Sequence, residues 1–124
     1  MSTNTTPSTA SNIRTVRPWG WYETVSECPG NKIKRIGVLP GQQISLQKHH
    51  QRAEHWVVVA GVAHITLDDR VFDLPTGGHC DIAVGQVHRL ANQTAAPLEI
   101  VEVQFGDYLG EDDIVRLQDD YGRQ

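Results

Sequence analysis

The sequence predicts an all-β domain built as a sandwich or a barrel. From Arg17 onward, short runs rich in Val, Ile, Leu and Trp alternate with Gly, Pro, Asn and Asp. No helical pattern lies between these runs, and no repeat of fixed period is present. Strands at this close spacing are typical of two-sheet sandwiches and barrels. A chain of 124 residues has the length of one domain.

Each predicted element is bounded by turn residues. Segments such as Pro29-Gly30-Asn31, Pro40-Gly41 and Thr76-Gly77-Gly78 separate runs in which β-branched and aromatic residues recur. The predicted strands cover residues 21–26, 32–39, 43–49, 54–60, 62–67, 70–74, 79–84, 87–91 and 97–106. A short C-terminal helix is predicted over residues 111–118, because acidic side chains fill its first turn.

Composition sets the domain limits and excludes two kinds of partner. Residues 1–12 are mostly Ser, Thr, Asn and Pro, so residues 1–14 are predicted to be a disordered tail and residues 15–124 a single domain. The formal charge of −4 argues against nucleic acid and anionic membranes as partners. No apolar run could span a membrane, and the N-terminus lacks the pattern of a secretion signal. Cys28 and Cys80 form no C-x-x-C motif, which favours reduced thiols in a cytoplasmic protein.

A cluster of metal-binding residue types lies at the turn between two predicted strands. Alternate residues of a strand share a face, so the Gln47 amide, the His49 ring and the Glu54 carboxylate are expected within reach of one ion. His88 would join them from a later strand. Two nitrogen and two oxygen donors suit a divalent transition metal and leave coordination positions open.

These residues also follow two motifs of a known superfamily. The first patch is similar to the first cupin motif, G-x5-H-x-H-x4-E-x6-G, with Gln47 at the first His position. The second patch is similar to the motif G-x5-P-x-G-x2-H-x3-N, with Ala83 at the Pro position. The matching residues are Gly41, His49, Glu54, Gly61, Gly77, Gly85, His88 and Asn92. The resemblance implies the cupin double-stranded β-helix, a jelly-roll barrel.

A closer resemblance covers residues 17–123. The segments Arg17-Pro18-Trp19-Gly20-Trp21-Tyr22-Glu23, Arg52-Ala53-Glu54-His55-Trp56 and Tyr108-Leu109-Gly110-Glu111-Asp112-Asp113 resemble type II mannose-6-phosphate isomerase. This is the cupin domain usually fused behind a mannose-1-phosphate guanylyltransferase. The family commonly has Gln at position 47 and usually has His where this chain has Gln51. The transferase half is absent, so guanylyltransferase activity is not expected.

The resemblance implies a metal-dependent isomerase that interconverts mannose 6-phosphate and fructose 6-phosphate. One divalent ion is expected, with zinc first and Mn, Fe, Ni or Co as alternatives. Arg52 and Lys34 would hold the phosphate, because a guanidinium fork grips phosphate oxygens in pairs. Glu54, His55 and Arg52 are the expected catalytic residues, with His50 or a metal-bound hydroxide as an alternative base.

Two other functions remain open. The chain could be a cupin that binds a sugar or sugar nucleotide without turnover, or a small metal-dependent oxygenase. The sequence also leaves open which face of the last long strand, Glu102 with Gln104 or Val101 with Val103, looks inward. The apolar run Trp19-Gly20-Trp21-Tyr22 predicts a homodimer with this segment at the interface.

Overall fold

Two antiparallel β-sheets form the described part of the chain. The computed structural model describes residues 13–120, and it contains no helix within them. The strands are β1 (Thr15–Arg17), β2 (Gly20–Cys28), β3 (Asn31–Val38), β4 (Leu46–Lys48), β5 (Arg52–Ala60), β6 (Ala63–Leu67), β7 (Arg70–Leu74), β8 (His79–Ile82), β9 (His88–Ala91), β10 (Leu98–Gly106) and β11 (Val115–Gln118). One sheet has the order β1-β2-β3-β10-β5-β8 and the other the order β11-β4-β9-β6-β7.

The inward faces of both sheets share one apolar core. Alternation along the strands buries every second side chain, as in β5, where Trp56 and Val58 are each 1% exposed. Ile65 and Leu90 from the second sheet are fully buried, and so is Ile100 from the first. This two-sheet arrangement confirms the predicted all-β jelly roll, and each of the predicted strands is present.

The predicted C-terminal helix is wrong within the described residues. Val115–Gln118 forms β11, which pairs antiparallel with β4. The acidic residues before it do not begin a helix, because Asp113 accepts hydrogen bonds from the backbone N–H groups of His50 and Gln51, each at 2.9 Å. Strand pairing and this long-range contact outweigh a weak local preference.

Several predictions concern parts or properties beyond the sheets. The predicted tail lies outside the described residues except for Ile13 and Arg14, and it stays a prediction together with the domain limits. In the portion of the chain that the structure covers, no helix has the length and apolar character needed to cross a membrane. Cys28 is exposed and Cys80 is half-buried, and both are free thiols.

The aromatic run behind the predicted homodimer is largely covered within the chain. Trp19 belongs to the core, and the Trp21 ring lies 3.6 Å beneath the Arg14 guanidinium. The Tyr22 ring faces the Lys34 ammonium at 4.5 Å. Trp21 and Tyr22 are half-buried, and the homodimer with this segment at its interface stays a prediction.

We propose that the homodimer forms through the edge of β1 that pairs with no other strand among residues 13–120. The strand ends its sheet, and Val16 on it is 76% exposed. An unpaired edge with an apolar side chain favours pairing with a second copy. Small-angle scattering should give twice the 13.8 kDa chain mass, and Val16→Lys should shift the protein toward the monomer. A wild-type monomer would contradict the proposal.

Candidate metal centre

Three buried donor residues converge between the two sheets. His49 follows β4, Glu54 lies in β5 and His88 begins β9. One ligand atom from each lies within 4.8 Å of the others. The three residues are 1–2% exposed, so a cation bound among them would be shielded from water.

Backbone carbonyl groups fix the orientation of both imidazoles. The His49 Nδ1–H donates to the Asp113 carbonyl at 2.6 Å, and the His88 Nδ1–H donates to the Gln86 carbonyl at 2.9 Å. A carbonyl can only accept, so both Nε2 atoms are left with their lone pairs. Those atoms lie 3.2 Å and 4.0 Å, respectively, from the two Glu54 carboxylate oxygens. Orientation by an outer hydrogen bond is the usual support for a metal-binding histidine.

Burial keeps both imidazoles neutral near neutral pH. Desolvation, followed by the nearby Arg52 charge, lowers the pKa of His49 to about 4. Desolvation also lowers the pKa of His88. A metal needs the unprotonated ring, so little proton release is required before an ion binds.

Gln47 lines a pocket together with Glu54 and His88. It lies directly opposite His88 across the β4–β9 pair. Its amide nitrogen donates to the Ser45 hydroxyl at 2.9 Å, which leaves the amide oxygen as the donor for an ion. Three of the four predicted ligands therefore line one pocket, and a ligand atom of His49 lies within 4.8 Å of those of Glu54 and His88.

Arg52 lies deeper than the sequence predicts. The turn position implied a guanidinium that reaches toward a ligand, but Arg52 begins β5 and is 6% exposed. Its Nε–H donates to Glu54 Oε2 at 2.9 Å, and its Nη2–H donates to His49 Nε2 at 3.2 Å. Its Nη1 is buried and has no hydrogen-bond partner among the described residues.

Three further cationic side chains contribute to the pocket wall. Lys34 lines the pocket, as strand alternation predicts, and its Nζ lies 2.6 Å from the Glu111 carboxylate. Arg17 and Arg116 line it as well. Burial opposes ionisation of Glu111, but Lys34 prevails and holds the pKa of Glu111 below its usual value. The wall suits an anionic ligand that could replace the Glu111 carboxylate on Lys34.

The predicted catalytic residue His55 is not brought into the pocket. It alternates with Glu54 and Trp56, so it lies on the outer face of β5, where its Nδ1 is 2.5 Å from the Asp81 carboxylate. The His79 ring is 5.4 Å away on the same face. His50 and Gln51 are exposed in the turn before β5.

The sequence reasoning left a second carboxyl in the pocket unassigned. Glu102 is 4% exposed, and burial, followed by the charge of Glu54, raises the pKa of Glu102 to about 8. The Trp56 indole N–H donates to both Glu54 and Glu102, at 2.9 Å and 3.0 Å. Gln104 donates to Glu102 at 2.8 Å. Glu102 therefore holds its proton near neutral pH and supports the Glu54 carboxylate.

A signal for Glu102 was present in the same strand. Leu98 and Ile100 are apolar while Glu99 between them is charged, so the Leu98 face must look inward. Extending that face by alternation reaches Glu102 and Gln104. The apolar Val101 and Val103 hid the signal, although they are only half-buried on the opposite face.

The donor set fits a divalent transition metal. Two neutral imidazoles, a carboxylate and an amide oxygen have the chemistry that such ions bind, and no thiolate takes part. The Arg52 guanidinium contacts two of the donors, so an ion is accommodated once that group moves aside. A double-stranded β-helix with this His, Glu and His set in its interior defines the chain as a cupin domain.

Comparisons with known proteins identify the family within the cupin class to which the chain belongs. A sequence profile described as mannose-6-phosphate isomerase C-terminal matches residues 4–119, so the chain belongs to that family. It is 51% identical over 115 residues to the alginate biosynthesis protein AlgA of Pseudomonas aeruginosa, covering 93% of this chain and 24% of that protein. It is 46% identical over 107 residues to a mannose-1-phosphate guanylyltransferase of Escherichia coli, covering 86% and 23%. The chain thus spans about a quarter of the length of these relatives.

Solved structures agree on the fold. A Klebsiella pneumoniae protein with a double-stranded β-helix domain superposes with a TM-score of 0.68 at 24% identity, covering 85% of this chain and 83% of that one. Bacillus subtilis oxalate decarboxylase, a protein with Mn(II) centres, superposes with a TM-score of 0.75 at 17% identity, covering 87% and 31%. At these identities the likeness concerns the fold alone.

Proposed function

We propose that this chain is a metal-dependent isomerase that interconverts mannose 6-phosphate and fructose 6-phosphate. One observation carries the proposal: the neutral His49 and His88 rings and the Glu54 carboxylate converge beside a pocket that Glu54 and His88 line together with Lys34 and Arg116. Family membership and the mannose-1-phosphate guanylyltransferase among the relatives support a mannose phosphate as the ligand.

The pocket offers a place for each end of a sugar phosphate. His49, Glu54, His88 and Gln47 would hold one divalent ion, with zinc proposed first and Mn, Fe, Ni or Co as alternatives. The bound ion would supply Lewis-acid polarisation of the sugar carbonyl. The phosphate would take the place of the Glu111 carboxylate on Lys34, which keeps that ammonium paired throughout.

The proton that moves between C1 and C2 needs a carrier inside the pocket. The carboxyl groups that line it are those of Glu54, Glu102 and Glu111, whereas His55 lies on the outer face of β5. A base must come within about 3 Å of the proton that it abstracts. We therefore assign the proton transfer to a pocket carboxyl and not to His55.

The test is turnover of the purified protein loaded with each candidate ion in turn. Mannose 6-phosphate is added, and fructose 6-phosphate is followed by a coupled assay. We expect saturable turnover that a chelator abolishes and that the ion restores. Lys34→Met should raise KM, with Arg35→Met on the outer face of β3 as the matched control. Saturable binding without turnover would indicate a binding module, and oxygen uptake with iron would indicate an oxygenase.

Two substitutions outside the pocket are expected to leave turnover nearly unchanged. His55→Gln removes an imidazole on the outer face of β5, and Gln51→His restores the residue usual in the family at an exposed turn position. Neither side chain lines the pocket, so kcat/KM should stay within about twofold of the wild type. A fall of about 100-fold in His55→Gln would return His55 to the catalytic set.

A further inference from the structure

The Nε2 atom of His49 has one lone pair and two groups that need it. Its Nδ1 carries the ring proton, because that atom donates to the Asp113 carbonyl. The Nε2 lone pair accepts the Arg52 Nη2–H at 3.2 Å. An ion bound to His49 must use the same lone pair. The hydrogen bond from Arg52 and a bond to metal therefore exclude each other.

Charge reinforces this exclusion. The Arg52 Nε–H donates to Glu54 Oε2 at 2.9 Å, and that oxygen lies 3.2 Å from His49 Nε2. One guanidinium thus spans two of the donor atoms and neutralises the carboxylate among them. A divalent ion brings its own charge to the same atoms, and two cations at this separation repel strongly in a buried site.

A guanidinium displaced from the donor atoms can stay within the pocket. Arg52 already lines the pocket, and its buried Nη1 has no partner among the described residues. Once the Arg52 guanidinium moves away from Glu54, its positive charge is unpaired. A buried unpaired charge needs an anion nearby. Lys34 and Arg116 in the same wall mark where that anion would bind.

We propose that Arg52 couples metal binding to anion binding. With no metal bound, its guanidinium occupies the His49 and Glu54 donor atoms; metal binding releases it to bind a phosphate-class anion in the pocket. Thermodynamic linkage then requires the anion to raise metal affinity by the same factor as the metal raises anion affinity. The inference rests on the metal site of the proposed function but does not require isomerase turnover.

The coupling is measurable as a ratio of dissociation constants. The affinity for Co²⁺ is determined from its visible absorbance with and without inorganic phosphate at constant ionic strength, while a chelator buffer fixes the free Co²⁺ concentration. We expect phosphate to tighten Co²⁺ binding about 5- to 150-fold in the wild type, the usual range for coupled sites. Arg52→Met should bind Co²⁺ more tightly than the wild type without phosphate and should lose most of the coupling.

Controls separate Arg52 from simpler explanations. Arg35→Met removes one positive charge from the outer face of β3, where Arg35 pairs with Glu99, and it should keep the full coupling. Full coupling in Arg52→Met would show that phosphate binds the ion directly, which would overturn the proposal. Unchanged or weaker Co²⁺ binding by Arg52→Met without phosphate would overturn it as well. Circular dichroism checks that each variant is folded, and Arg52→Gln serves if Arg52→Met is not.

A second measurement needs no variant at the site. The Arg52 Nε–H should give a distinct nitrogen–proton NMR signal because it donates to a buried carboxylate. Saturation with Zn²⁺ should move that signal toward the position of a solvent-exposed arginine. A signal that stays fixed while Zn²⁺ binds would contradict the displacement. Coupling without isomerase activity would refute only the proposed function, and metal-dependent turnover without coupling would refute only this inference.

Discussion

Replacing His88 with Gln is expected to weaken divalent metal binding by more than about 100-fold, because even outer-shell substitutions at metal sites cost about 10- to 100-fold. His88 is 1% exposed, and its Nε2 lies 4.0 Å from the Glu54 carboxylate. Glutamine is of similar size but lacks the imidazole nitrogen at that point. Calorimetric titration with Zn²⁺ would measure the loss.

The matched control for that variant is His64→Gln. His64 lies on β6, the strand that pairs with β9, but its ring contacts Asp73 away from the pocket. The His-to-Gln change at position 64 should leave the affinity for Zn²⁺ unaltered. If His88→Gln binds Zn²⁺ as tightly as His64→Gln, then His88 is a core histidine and the proposed metal site fails.

Replacing Trp56 with Ala is expected to lower the free energy of unfolding by about 3–5 kcal/mol, the usual cost of removing a buried large aromatic side chain. Trp56 is 1% exposed and packs in the core shared by both sheets. Its indole N–H also bridges the Glu54 and Glu102 carboxyl groups. The loss should appear in urea unfolding of the metal-free protein, followed by circular dichroism.

Trp56→Phe separates the two contributions of this side chain. Phenylalanine keeps an aromatic ring but removes the shared donor, so we expect a cost of about 1–3 kcal/mol, the penalty for leaving a buried polar group unsatisfied. A Phe variant as unstable as the Ala variant would show that the hydrogen bonds to Glu54 and Glu102 matter more than the packing. A Phe variant as stable as the wild type would show that they add nothing to folding.

The local alternation of apolar and polar side chains predicts most of the strands, but it does not predict the structure of the C-terminal segment. β5 and β10 are long and alternate strictly over their buried residues, so their existence follows from side-chain period alone. β1 and β11 are short strands at sheet edges, and their pairing with β2 and β4 is a long-range feature that local pattern does not contain. Acidic residues 111–113 fit a helix start equally well until the contact of Asp113 with His50 is known.

Two residues of the pocket show why alternation cannot assign every role. It correctly places Lys34 inside, because Ile36 and Val38 on the same face are apolar. It leaves Glu102 open, because the inward face of β10 changes from apolar to polar where the core gives way to the pocket. Leu98 and Ile100 on the same face would have placed Glu102 inward, but its contact with Trp56 depends on the neighbouring strand β5.

The sequence alone predicted the all-β class, the family resemblance and the candidate donor residues, since these follow from side-chain period and from motif spacing. Only the tertiary structure decided that Glu102 supports Glu54 and that Arg52 lies on the donor atoms of His49 and Glu54. The physical reason is that a hydrogen bond is short and directional. Which groups meet at about 3 Å depends on how distant strands are brought together, and that is a property of the folded barrel as a whole.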